Sequence, residues 1–220
     1  MAKNYIVISC YMIENELMKI MDEYDVHWPV YFIPPHLHGD MDKLREYLQN
    51  IIDGIRNVDG IILTISRCGG GTVGLKATSA DLIIPRGADC IDLLLSGKDL
   101  EDRKRPMKAM YLTESWATNM EELENGYADL CERHGEETAE AMLKAMYDGY
   151  DTYYMIDTGT YDIEMIKEYM APRAEMLEMG FETVPGPCGT LRKLVQENFD
   201  SDFIIVKQGD STCESDYLIM

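Results

Sequence analysis

The sequence contains no long apolar run, few cysteines and few positive charges. No stretch reaches the ~18 apolar residues of a membrane-spanning helix. The apolar stretch from Tyr5 to Cys10 is too short for the core of a secretory signal and lacks a small-residue cleavage site. Six cysteines in 220 residues are too sparse for a disulfide scaffold, so we expect free thiols, metal ligands or catalytic groups in a reducing compartment. These absences predict a cytoplasmic protein that does not enter a membrane.

The balance of charge is strongly acidic. The chain has 20 Lys and Arg against 40 Asp and Glu, a formal net charge of −20. Such a field repels nucleic-acid phosphates and anionic membranes, so we expect neither as a partner. It is compatible with a basic protein partner or with a buried metal. With 46% apolar and 27% charged residues, the composition is that of a globular protein.

Short apolar runs alternate with segments of helical period. The predicted strands are Tyr5–Cys10, Val30–Ile33, Gly60–Ile65, Asp81–Pro85, Ala109–Leu112, Tyr153–Ile156, Phe203–Val206 and a shorter Phe181–Val184. A helix follows Cys10, and others are predicted near 40–56, 89–95, 119–149, 162–179 and 188–198. This alternation predicts an α/β fold, a mainly parallel sheet with helices on both faces. We expect a single α/β domain over 1–220; the charged segment 98–108 is either a seam between two α/β halves or a surface loop.

Three cysteines lie at the ends of the first, third and fourth predicted strands. Cys10, Cys68 and Cys90 would meet at one edge of the sheet, because ligands of open α/β sheets bind beyond the carboxyl ends of the strands. Thiolates are soft, anionic donors, and three of them can hold zinc or an iron–sulfur cluster with one position left open. No Cys-x-x-Cys spacing supports a metal, and buried cysteines often serve only as small apolar side chains.

The segment from Cys68 to Thr72 contains a run of three glycines, Gly69, Gly70 and Gly71. Glycines allow positive φ and let backbone N–H groups approach a ligand, so these residues and Thr72 are candidates for binding a cofactor or an anion. The segment matches neither G-x-G-x-x-G nor a Walker A motif. A tight strand–helix turn is the alternative.

Charged residues follow two further strands. Arg86 and Asp89 precede Cys90 and could balance thiolate charge, orient a substrate or bind its anionic group. Asp89 is also a natural N-cap for the next helix. Asp157, in Asp157-Thr158-Gly159, is a further candidate catalytic residue or simply part of a polar turn.

Two histidines, His36 and His38, follow the second predicted strand. In an extended loop they would point in opposite directions, so at most one would face the site. Either could ligate a metal or act as a general base, although a surface position is the alternative for each.

These motifs together resemble the prokaryotic family of unknown function numbered 1638. The resemblance rests on Val7–Cys10, Ile13–Leu17, Pro34–His38, Cys68–Leu75, Ile84–Ile91, Tyr111–Thr113 with Trp116, and Tyr154–Gly159. It implies recurring roles for Cys10, Cys68 and Cys90 with Arg86, Asp89 and Asp157. Members occur beside corrinoid-dependent methyl-transfer systems for methylated amines, which implies an accessory or catalytic role in methyl-group metabolism with a corrinoid methyltransferase or corrinoid protein as partner. The chain departs from the pattern at Pro187-Cys188, so Cys188 inherits no role.

Three functions remain open at the level of sequence. The leading hypothesis is a metal-binding protein in which Cys10, Cys68 and Cys90 hold zinc or an iron–sulfur cluster. The alternatives are a metal-free binder of small molecules or anions, using the glycine turn and Arg86, and a thiol redox protein. The residues do not decide whether the protein is an enzyme.

Overall fold

The fold is described from a computed structural model, which describes residues 3–105, 109–119 and 127–218. Its strands are β1 (Tyr5–Cys10), β2 (Val30–Ile33), β3 (Gly60–Leu63), β4 (Leu82–Pro85), β5 (Met110–Leu112), β6 (Thr152–Asp157), β7 (Gly180–Pro185) and β8 (Phe203–Val206). The α-helices of the described residues are α1 (Glu14–Glu23), α2 (Met41–Gly54), α3 (Cys90–Leu95), α4 (Glu114–Thr118), α5 (Tyr127–His134), α6 (Glu136–Met146), α7 (Ile163–Met176) and α8 (Gly189–Val195).

The chain divides into two compact units. The first comprises Met1–Lys104 and Pro187–Met220, and the second comprises Arg105–Gly186. The boundary after Lys104 lies inside the charged segment 98–108 that the sequence offers as a seam. The chain returns to the first unit at Pro187, and the sequence analysis predicts no boundary at this position.

The first unit is built on a five-stranded sheet in the order β2-β1-β3-β4-β8. β1 pairs in parallel with β2 and β3, β3 pairs in parallel with β4, and β8 closes the edge antiparallel to β4. All residues of β3 and β4 are buried, as expected of parallel strands with both faces covered. The predicted α/β class with mostly parallel strands is confirmed.

Two helices of this unit show why their sequences fold as they do. In α2, Leu44, Leu48 and Ile52 recur on one face and are completely buried, while the Asp40 side chain accepts a hydrogen bond from the Lys43 N–H at the helix start. In α1, Leu17 belongs to the equivalent buried stripe. α2 lies between β2 and β3 in sequence, so its first turn begins near the carboxyl ends of the strands.

The second unit has a three-stranded parallel sheet in the order β5-β6-β7. Its core combines sheet residues such as Tyr153 and Met155 with Ile166 and Met170 from α7. The helix predicted over 119–149 is described in part, as α5 and α6, which are separated by Gly135 at φ 80°; residues 120–126 lie outside the described part. No helix among the described residues is both long and apolar enough to cross a bilayer.

A buried ion pair fixes the segment that follows β4. Asp92 in α3 and Arg103 lie 2.9 Å apart, with side chains 0% and 3% exposed. The other carboxylate oxygen of Asp92 accepts from the Ala88 N–H at 2.8 Å, and Arg103 donates to the Leu100 carbonyl. The ion pair therefore connects the loop after β4 to Arg103, next to the boundary of the first unit at Lys104.

Replacing Arg103 by Met should lower the free energy of unfolding by about 3–5 kcal/mol, because Asp92 keeps a buried charge without its ionic partner. The matched control is Lys207→Met, which removes an exposed partner of Asp81 and should cost at most about 1 kcal/mol. Urea unfolding followed by Trp28 fluorescence measures both, in a Trp116→Phe background, since Trp28 packs on Tyr5 of β1. Equal losses for the two variants would contradict the assignment.

Candidate functional site

The candidate site lies at the carboxyl edge of the first unit's sheet, where the loops after β3 and β4 are joined by backbone hydrogen bonds. The Arg67 N–H donates to the Gly87 carbonyl at 3.1 Å and the Cys68 N–H to the Ala88 carbonyl at 2.8 Å. Backbone hydrogen bonds thus join the two loops beyond the strand ends. The segment containing Cys68 is held beside the one that leads into Cys90.

Cys10 and His38 form a contacting pair of side chains at this edge. Cys10, the last residue of β1, places its Sγ 3.5 Å from His38 Nε2. His38 Nδ1 lies 3.1 Å from the Pro35 carbonyl oxygen, which can only accept a hydrogen bond. Nδ1 therefore carries the proton, and the lone pair of Nε2 faces the thiol.

The histidine loop is a 3₁₀ turn over Pro35–Gly39 and not the extended segment considered in the sequence analysis. Pro35 is buried at its start, and the turn directs His38 inward while His36 is exposed. The expectation that at most one of the two histidines faces the site agrees with this arrangement.

Burial sets the protonation of the site. It raises the pKa of Cys10 to about 12, which the Met12 backbone N–H opposes only in part. Burial also raises the pKa of Cys68 well above its ordinary value, and the nearby Cys10 and Asp89 groups raise it further. The pKa of His38 is lowered by burial, against the Pro35 carbonyl. Near pH 7 both thiols are therefore neutral, and so is the imidazole.

Cys68 begins a turn with an unusual backbone. It has φ 43°, and Gly69 and Gly70 follow at 68° and 104°, so three successive residues have positive φ. A non-glycine residue in this region is strained and persists only where its surroundings hold it. Here the bond from Cys68 N–H to Ala88 is one such restraint.

Packing on α2 explains the glycines of this turn. A Cβ on Gly69 would lie 2.9 Å from Met41 Sδ, and one on Gly71 would lie 2.5 Å from Leu44 Cδ2. The Gly70 carbonyl accepts from the Arg45 guanidinium at 2.9 Å. The predicted cofactor role of Gly69, Gly70 and Gly71 thus has a structural alternative at each position and stays a prediction.

Thr72, the fourth candidate of this turn, bonds within the protein. Its hydroxyl donates to the Ser66 carbonyl at 2.7 Å and lies 2.8 Å from the Tyr217 hydroxyl. Burial of Tyr217, which is 4% exposed, raises its pKa to about 12. The sequence analysis does not identify Tyr217, because this residue lies in a polar segment with no periodic pattern.

Asp89 and Cys90 occupy the start of α3. The Asp89 carboxylate accepts from the N–H groups of Ile91 and Asp92 at 3.0 and 3.3 Å, which confirms the predicted N-cap. Cys90 is the first residue of α3 and is buried. Asp89 also lies close enough to Cys68 to raise its pKa, so the loop after β4 contributes negative charge to the thiol site.

Arg86 and Asp157 serve other contacts. Arg86 Nε donates to the Asp216 carbonyl at 2.7 Å and Nη1 to the Ser201 carbonyl at 3.3 Å. Asp157 belongs to the second unit, where its side chain accepts from the Gly159 N–H at 3.1 Å and closes the polar turn after β6. Their proposed catalytic roles stay predictions, and these contacts explain both residues without a substrate.

The described residues contain one group of three potential ligands whose atoms all lie within 4.8 Å of one another, and it is not the cysteines. It consists of Asp99, Asp200 and Asp202. Lys193 Nζ already lies 2.7 Å from each of the three carboxylates. Burial alone would lower the pKa of Lys193, but these carboxylates raise it, so a protonated ammonium group fills this cluster.

The ligand atoms of the three cysteines lie farther apart than those of the carboxylate cluster. Cys10, Cys68 and Cys90 do not form a group of three within 4.8 Å among the described residues. One ion would require them to approach, whereas an iron–sulfur cluster interposes its own iron and sulfide between its cysteines. The assignment of the three cysteines as metal ligands stays a prediction, with the Cys10–His38 pair as its best-defined part.

Comparison with known proteins gives one match. The profile of a family described as protein of unknown function (DUF1638) matches residues 32–195, which is more than half of the chain and includes His38, Cys68 and Cys90 but not Cys10. No curated protein and no solved structure matches the chain. The chain therefore belongs to the DUF1638 family of proteins of unknown function.

Proposed function

We propose that the first unit holds a thiophilic metal centre, a zinc ion or an iron–sulfur cluster, at the carboxyl edge of its sheet. Cys10, Cys68 and Cys90 are the cysteine ligands, and His38 is a further ligand beside them. The observation that supports the proposal is the 3.5 Å separation of Cys10 Sγ and His38 Nε2, with the opposite nitrogen of the ring bonded to the Pro35 carbonyl.

The distance fits two ligands of one tetrahedral ion. Zn–S and Zn–N bonds of about 2.3 and 2.0–2.1 Å at a tetrahedral angle place the two ligand atoms about 3.6 Å apart. Cys10 Sγ and His38 Nε2 lie 3.5 Å apart. Metal-ligating histidines usually donate their other N–H to a carbonyl or carboxylate, which fixes the tautomer and the ring. The Pro35 carbonyl provides that bond to His38.

Charge supports the same interpretation. Two neutral thiols in a buried pocket are poor nucleophiles, since only a thiolate attacks; the raised pKa values of Cys10 and Cys68 therefore do not favour a reactive redox thiol. A metal cation reverses this balance by stabilising the thiolates directly. The metal-free anion binder is less well supported, because the Arg86 guanidinium donates to two backbone carbonyls.

We place the metal centre in corrinoid-dependent methyl-group metabolism, where the protein would act with a corrinoid protein or corrinoid methyltransferase. The support is the association implied by the family resemblance. The protein would maintain the redox or cofactor state of that partner or handle its substrate. The net charge of −20 favours a partner that presents a basic surface.

Protein purified anaerobically without chelator should contain about one zinc ion per chain, or iron together with acid-labile sulfide. Elemental analysis and absorption spectroscopy distinguish these two outcomes. Cys10→Ser, Cys68→Ser and His38→Gln should each weaken binding by about 100-fold or more, because each removes a ligand. Cys188→Ser is the matched control, since Cys188 is equally buried but caps α8. Metal-free protein under these conditions, or equal metal retention by all variants, would contradict the proposal.

Metal binding should release about three protons per site near pH 7, one from each of Cys10, Cys68 and Cys90, because each binds as a thiolate. The pKa values of Cys10 and Cys68 are raised, so their protons are present before binding and must leave. His38 contributes none because its pKa is lowered. The apparent affinity should therefore rise with pH by about 1000-fold per unit. Isothermal titration in buffers of different ionisation enthalpy gives the count; a value near two would remove Cys90 from the ligands, and zero would exclude thiolate ligation.

A corrinoid protein from the same organism should sediment with this protein at low ionic strength and separate from it near 1 M salt, because exposed charges are then screened. Sedimentation velocity followed at the visible absorption of the corrinoid measures the complex. The Cys10→Ser/Cys68→Ser variant shows whether the metal site is needed for docking. Absence of a complex at every salt concentration would exclude a direct corrinoid partner.

A further inference from the structure

The thiol site is closed to solvent. Cys10 is 1% exposed and Cys68 is 7% exposed. A metal or a reactant can reach these sulfur atoms only if one of the surrounding segments moves. The identity of that segment determines how access to the site is controlled.

Most of the surrounding segments are held by regular structure. On one side, Cys10 lies in β1, which pairs with two neighbouring strands. On another, the Cys68 turn is bonded to the loop after β4 through Ala88. α2 packs Met41 against Gly69. Opening any of these elements would break the sheet or the core.

Two irregular segments remain: the 3₁₀ turn over Pro35–Gly39, whose His38 contacts Cys10, and the segment Cys213–Leu218, here called the strap. The middle of the strap is a single 3₁₀ turn over Glu214–Asp216. Tyr217 is its buried side chain, and the hydroxyl lies 2.8 Å from Thr72 Oγ1, four residues after Cys68. Glu214 also pairs with Arg67, the residue before Cys68, so the strap contacts the thiol turn on both sides of Cys68.

Apart from the Tyr217–Thr72 bond, the strap is held by one exposed ion pair and by two bonds with Arg86. Glu214 pairs with Arg67, next to Cys68, with 50% and 29% of the two side chains exposed; such exposed pairs contribute little stability. The Leu218 N–H donates to the Arg86 carbonyl at 2.9 Å, and Arg86 returns a bond to the Asp216 carbonyl.

The chain just before the strap is fixed more firmly. The Thr212 N–H donates to the Leu75 carbonyl, the Gly74 N–H donates to the Thr212 carbonyl, and the Thr212 hydroxyl donates to the Thr72 carbonyl at 2.7 Å. Thr212 is 3% exposed. This arrangement gives a fixed point at Thr212 and a loosely held segment beyond it, as in a hinged flap.

We propose that the strap Cys213–Leu218 is the lid of the thiol site, and that release of Tyr217 from Thr72 opens access to Cys68. This role rests on the proposed metal centre, because the metal must enter the site and the partner must reach it. Arg67 and Arg86 hold the lid on either side of the turn, which gives both arginines a role that does not involve a substrate.

Alkylation of the metal-free protein under native conditions tests this. The assay uses a Cys213→Ser background, so that modification of the strap itself is avoided, and iodoacetamide as the probe. Peptide mass spectrometry follows the rate at Cys68. Cys188, 3% exposed, is the control thiol in the same molecule because its N–H is bonded to the Leu94 carbonyl of α3 and not to the strap.

Tyr217→Phe should raise the alkylation rate at Cys68 about fivefold, since it removes the bond to Thr72. Tyr217→Ala should raise it further, and Glu214→Gln should raise it about twofold. The rate at Cys188 should stay unchanged in all three. Because Tyr217→Phe keeps the ring and Glu214→Gln alters an exposed residue, both remain informative if Tyr217→Ala does not fold.

An unchanged rate at Cys68 in these variants would overturn the lid, and so would equal acceleration at Cys68 and Cys188, which would mean that global unfolding governs access. The assay contains no metal. Its failure therefore leaves the metal-content experiment unaffected, and a protein without bound metal would still show the lid in this assay.

Discussion

The candidate site depends on the backbone hydrogen bonds that join the loops after β3 and β4. Two backbone hydrogen bonds, from Arg67 to Gly87 and from Cys68 to Ala88, join loops that are about twenty residues apart in the chain. They hold Cys68 in a left-handed conformation and bring it beside the capped start of α3. Without these bonds, the Cys68 thiol would have no fixed position relative to Cys10 and Cys90.

Much of the fold could be predicted from local sequence. Uninterrupted apolar runs mark β1 and β2 to the residue, although β1 is a buried inner strand and β2 is a partly exposed edge strand with Tyr31 43% exposed. Asp89 was identifiable as an N-cap from its position alone. The division into two sheets was not predictable, because apolar runs specify strands but not which strands pair, and β8 returns to the first unit from far along the chain.

The site was predictable in part, and the limits have physical causes. The rule that loops converge at the carboxyl edge identified the cysteines, but the choice of His38 depends on a 3₁₀ turn that buries Pro35. The glycine turn is ambiguous in sequence because both a ligand and a close-packed helix exclude a Cβ. Only the structure shows Met41 and Leu44 where those Cβ atoms would be. Tyr217 meets Thr72 across 145 residues, a separation that no local pattern encodes.

Lys193, which lies among Asp99, Asp200 and Asp202, affects which cations this acidic protein can bind. Oxygen-rich carboxylate clusters attract hard ions such as magnesium and calcium, and this is the tightest such cluster in the described chain. Lys193 acts as a covalently attached counter-ion, so a hard cation gains little by displacing it. The proposed metal centre, with its sulfur and imidazole donors, would then be the site left for a softer metal.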